Sequence, residues 1–65
     1  MNNTHEERVI DEKKDLDEKR GKLKDFMHTD IYASLTSVEQ GLLMVQLEAM
    51  GSYSRALSRR IELFD

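Results

Sequence analysis

The chain has 65 residues, of which 35% are charged, 38% hydrophobic and 6% aromatic, with no cysteine, no proline, three glycines and a net charge of −3. Disulfides and thiolate metal sites are excluded, and the acidic balance argues against a general coat for nucleic-acid polymers. The mix favours long helices over sheet, and a lone chain this short rarely buries enough apolar surface to be stable with margin, so self-association is the help that remains.

The first predicted element is a helix over 4–28. Residues 1–25 hold fifteen charged side chains, eight acidic and seven basic, around a narrow apolar line of Val9, Leu16, Leu23 and Phe26. Thr4 or Asn3 is its expected N-cap, and Glu6 and Glu7 suit its first turn. Arg8–Glu12, Asp15–Lys19 and Glu18–Lys22 stand four apart, a spacing that contributes a few tenths of a kcal/mol per pair. Gly21 costs about 1 kcal/mol against alanine there, and reads either as a close-approach point or as an ordinary surface glycine.

The pattern breaks at 28–35. Thr29 or Asp30 is placed to cap a short helical turn that tucks Ile31, Tyr32 and Leu35 under the connection. Thr36 followed by Glu39 is a capping box, which predicts a second helix over 37–64. That helix is far more apolar. Leu43, Leu47, Met50, Leu57, Ile61 and Phe64 form one stripe, and Leu42, Val45, Ala49, Tyr53 and Ala56 form a second. Together they are wider than one thin partner helix covers. The fold class expected is therefore all-α: one domain over 1–65, an antiparallel helical hairpin with a short helical turn between its long helices. Its surplus apolar surface is expected to be closed by other copies in a homo-oligomer.

Catalytic constellations are poor. His5 and His28 lie at opposite ends of the first helix, about 35 Å apart at 1.5 Å per residue, so they form no metal pair within one chain. No Gly-rich phosphate loop is present, and no histidine is near Ser52, Ser54 or Ser58 in sequence. The expected activity is binding, with no enzyme chemistry, cofactor or metal. No apolar run is long enough for a membrane span and the start is polar, unlike a signal peptide, so a cytosol is the expected compartment.

Basic residues point to an anion. From Thr29 onward the only lysines or arginines are Arg55, Arg59 and Arg60. In a hairpin they approach the start of the first helix, near His5 and Arg8, whose N-terminal amides add partial positive charge. Arg8, His5, Arg59 and Arg60, with Tyr53 nearby, are the candidate anion contacts, arginine forks suiting phosphate. Thr29, at the opposite end, is a cap whose hydroxyl is also a candidate ligand contact.

The order Arg8-Val9, Leu16, Lys22-Leu23, Phe26-Met27, Thr29, Leu35, Leu42-Leu43, Gln46, Met50, Tyr53, Leu57 and Arg60-Ile61 resembles small phage proteins of the anti-CBASS and anti-Thoeris helical-hairpin family. The resemblance runs from about His5 to Phe64. It implies a non-enzymatic sponge, typically a hexamer, that sequesters cyclic oligonucleotide or cyclic ADP-ribose-type immune signals in the host bacterium's cytoplasm. It implies ligand pockets between protomers, and Thr29 and Arg60 match the places of the family's ligand-contacting threonine and arginine. The family's aromatic contact to cyclic dinucleotides has no match, since no tyrosine precedes Tyr32. The other reading of the residues is a hairpin dimer forming a four-helix bundle that binds a protein partner or a compact RNA.

Overall fold

The computed structural model describes residues 4–64. It is an antiparallel hairpin of α1 (Thr4–Phe26) and α3 (Ser37–Glu62), joined through the short helix α2 (Asp30–Ala33). The molecule measures 51 × 15 × 12 Å. Of the two cap candidates for α1, Thr4 is the first helical residue, and Asn3 lies outside the described residues.

Both long helices stop two residues before the sequence expectation, for one physical reason. Their last turns tighten. His28 and Thr29 donate to the carbonyls of Asp25 and Phe26, and Leu63 and Phe64 to those of Arg60 and Ile61, each three residues back. Such contacts satisfy terminal carbonyls but end the α-helical repeat.

The connection follows its capping residues. Thr29 Oγ1 accepts from the Tyr32 N–H and Thr36 Oγ1 from the Glu39 N–H, as expected of N-caps. Tyr32 then ties the turn to α3. Its hydroxyl donates to the Gln40 carbonyl, the Gln40 amide donates back to the Tyr32 carbonyl at 2.8 Å, and its ring meets Phe26 edge-on. Leu35 is half-buried beside it, whereas Ile31, expected to tuck under, points outward. In a four-residue helix, Tyr32 and Ile31 point some 100° apart, so one turn cannot bury both.

The core is thin. Val9 and Leu16 from α1 and Leu57 from α3 are buried, with Met50, Ile61 and Phe64 packed against them. These are the first α3 stripe and the α1 line meeting as expected. The second stripe faces away from α1. Leu42, Val45 and Tyr53 are exposed, Leu42 to 65%, as are Ala49 and Ala56. The accessible area of 5188 Å² exceeds the roughly 4,300 Å² of a compact protein of this mass. One hairpin therefore leaves a continuous apolar line uncovered.

One polar contact sits inside the helix–helix seam. The Ser54 hydroxyl, itself buried, donates to Asp17 Oδ1 at 2.6 Å. Asp17 also pairs with Lys13 at 2.6 Å and with Arg20 at 3.5 Å. Among the described residues the ion pairs thus fall at Lys13–Asp17, Arg20–Asp17 and Arg59–Glu62, not at the three pairs expected from spacing. Spacing allows a pair, but a carboxylate already held by Ser54 is the better partner, because less side-chain entropy remains to be lost.

Candidate ligand-binding site

A groove of about 380 Å³ opens beside this contact, lined by Arg20 and Lys24 of α1 and by Leu47, Glu48, Gly51, Ser52 and Arg55 of α3. Arg20 and Lys24 are four residues apart and share a helix face. Gly51 is buried, and two arginines come together beside it. A Cβ on Gly51 would stand 3.4 Å from Arg20 Nη2 and 3.5 Å from Arg55 Nη1. Two guanidinium groups from different helices thus face one point.

Asp17 orients Arg20 from behind through Nη1. Three donors converge on that carboxylate. The Lys13 ammonium first, then the Ser54 hydroxyl, with Lys13's charge and Arg20 adding to them, hold its pKa down at about 2, below its ordinary 3.8, against a smaller opposing effect of desolvation. Asp17 is therefore ionised at neutral pH. Arg55 Nη2 donates to Ser52 Oγ at 3.1 Å, a neutral acceptor. Arg20 Nε is shielded from solvent and has no acceptor. The groove thus gathers three cations against one lining carboxylate, Glu48, on a chain of net charge −3.

The residues singled out from sequence fall into two other places. His5 packs edge-on against Phe64, ring centroids 6.4 Å apart. This contact brings the start of α1 to the end of α3, so His5, Arg8, Arg59 and Arg60 share one end of the hairpin. All four are exposed, and Arg59 Nε lies 3.9 Å from Glu62 Oε1. Tyr53 is exposed to 45% on the uncovered apolar line. Thr29 is at the far end, so one hairpin does not bring it near Arg60. Its hydroxyl proton is donated to the Phe26 carbonyl at 2.6 Å while it caps α2. A hydroxyl used this way keeps only acceptor capacity.

Sequence reasoning missed the groove. In sequence, Arg20 and Lys24 are two charges among the fifteen of residues 1–25, and the hairpin expectation places Arg55 with the end shared by Arg59 and Arg60. The available signal was Gly51, a glycine within an otherwise helical, apolar stretch. In an antiparallel hairpin whose Ser54 meets Asp17, Gly51 must come opposite Arg20.

Among the described residues no group of three or more His, Asp or Glu is arranged to hold a metal. No described helix is long and apolar enough to cross a membrane. No curated protein and no solved structure matches the chain. The profile of the family described as Sequestin, a name that suggests sequestration, matches residues 3–63. With nearly its whole length matched, the chain belongs to the Sequestin family.

Proposed function

We propose that this protein is a phage anti-defence sponge that binds cyclic oligonucleotide immune signals and holds them intact, as a homo-oligomer acting in the cytoplasm of the bacterial host. The observation that carries this reading is the uncovered line of α3. Val38, Leu42, Val45, Ala49, Tyr53 and Ala56 follow one another at three- and four-residue steps, all exposed, and Arg60 is the next residue on that line. Packing of further copies along it covers apolar surface that a single hairpin leaves in water. The same packing brings Arg60 and Tyr53 to a junction between protomers. Membership of a family named for sequestration supports binding without turnover, and the resemblance to hexameric sponges supports six copies.

Roles follow from chemistry. Arg60 and Arg59 supply forks for phosphate, and Arg8 and His5 add charge at the same end. Tyr53 offers a ring for a base. Thr29, left with acceptor capacity only, suits a ribose hydroxyl or a base amino group better than a phosphate. Thr29 and Arg60 serve one ligand only if they come from different copies.

Native mass spectrometry with a panel of cyclic di- and trinucleotides tests the proposal. The expected result is an oligomer that gains ligand mass and releases the unchanged ligand on heating. Linearised product, or a panel in which nothing binds, would overturn it. An oligomer that captures a protein or RNA instead favours the helical-bundle reading.

A further inference from the structure

We propose that the groove around Gly51 is a phosphate site, in which the Arg20 and Arg55 guanidinium groups take the oxygens of one phosphate or phosphodiester group and Lys24 adds charge at the rim. As the place where a sequestered nucleotide would be held by its phosphate, it rests on the sponge reading, but its chemistry is testable apart from it.

Two independent observations carry the site. The first is convergence. Arg20 Nη2 and Arg55 Nη1 come from different helices and both lie within 3.5 Å of the position a Gly51 Cβ would take. Like charges aimed at one point repel unless an anion stands between them. An anion in the groove between them meets both forks at once, the geometry that makes arginine selective for phosphate.

The second is incomplete compensation. Arg20 reaches Asp17 at 3.5 Å, but that carboxylate is shared with Lys13 and Ser54, each at 2.6 Å. Arg20 Nε is shielded from solvent without an acceptor, a state that buried donors rarely keep. Arg55 holds only the neutral Ser52 hydroxyl, and Lys24 forms no ion pair among the described residues. Glu48, the one carboxylate lining the groove, pairs with none of the three cations. The groove is therefore short of negative charge, and Gly51 places no side chain between the two arginines.

The test is a titration of the isotope-labelled protein with inorganic phosphate, followed by NMR at the Gly51 and Ser52 amides and the arginine Nε–H signals. Saturable shifts confined to these groups are expected. Arg55→Gln, which removes a cation hydrogen-bonded to the neighbouring Ser52 hydroxyl, should weaken phosphate binding roughly 10- to 150-fold. Lys14→Gln, an exposed lysine outside the groove, removes the same charge and should leave affinity within about twofold. Gly51→Ala separates binding from folding. Its Cβ would meet the arginines at ordinary contact distance, so the melting temperature should hold or rise, while phosphate binding weakens because the added methyl group stands beside both guanidinium groups and crowds an anion held between them. Absence of saturable shifts at Gly51 and Ser52, or parental affinity in Arg55→Gln, would overturn the proposal.

A parallel titration with a cyclic dinucleotide keeps the two readings apart. If phosphate binds the groove but no cyclic nucleotide does, the sponge reading fails and the site stands. If a cyclic nucleotide binds Arg55→Gln and Gly51→Ala as tightly as the parent, the site fails and the sponge reading stands.

Discussion

Ser54→Ala tests the side-chain hydrogen bond that crosses the hairpin seam among the described residues. The Ser54 hydroxyl is buried and donates to an ionised carboxylate at 2.6 Å. A hydrogen bond to a charged group contributes about 1.5–3 kcal/mol. Two effects reduce the loss. Asp17 is part-exposed, so water replaces some of the missing donor, and alanine is the better helix former by about 0.5 kcal/mol. The net cost expected is roughly 1–2 kcal/mol, or about 5–15 °C of melting temperature in a chain this small. Circular dichroism melts at pH 7 measure it. The pH dependence supplies the sharper check. Asp17 is depressed from 3.8 to about 2 in the folded state, so its contribution is full above about pH 4 and is lost as pH falls through about 2. The parent's stability should drop over that window. The gap between parent and Ser54→Ala should narrow there, because a neutral carboxyl makes a weaker bond. A variant that melts within about 1 °C of the parent at pH 7, or a gap unchanged from pH 7 to pH 2, would refute the reasoning.

Other outcomes follow from exposure and space. Gly21→Ala meets nothing within 4 Å and should stabilise the hairpin by about 1 kcal/mol in thermal melts, a gain from helix propensity alone. Leu42→Glu, at a side chain 65% exposed in one hairpin, should keep its helical signal while sedimentation shows dissociation. A variant that sediments like the parent would show that Leu42 is not in the assembly contact. Arg60→Ala should weaken cyclic-nucleotide binding roughly 10- to 150-fold by calorimetry with the melting temperature unchanged. Arg59→Ala should matter less, since neighbouring side chains on a helix point about 100° apart and Arg59 already lies beside Glu62.

Much of the fold was legible along the chain because it depends on neighbours in sequence. Thr29 and Thr36 mark helix starts since their hydroxyls reach amides only three residues on. The three- and four-residue spacing of Leu43, Leu47, Met50, Leu57 and Ile61 determines which side of α3 meets α1, and the same periodicity shows that Leu42, Val45 and Ala49 are surplus. Helix ends were less legible by two residues, since tightening of the last turn reflects backbone bonds that no residue type specifies.

The site is different in kind. Arg20, Gly51 and Arg55 are ordinary residues on their own helices, and nothing local distinguishes Arg20 from the other charges of α1. What joins them is the register of the hairpin, held by the Ser54–Asp17 bond within the seam and by Tyr32 with Gln40 at the turn. A shift of one residue along the seam would turn Gly51 away from Arg20, since each residue rotates the helix face by about 100°. The sequence alone determined that this protein is a pair of amphipathic helices with apolar surface to spare, because periodicity and capping are short-range. Only the tertiary structure decided which of its ten lysines and arginines stand together, because convergence across two helices is a long-range property of their packing.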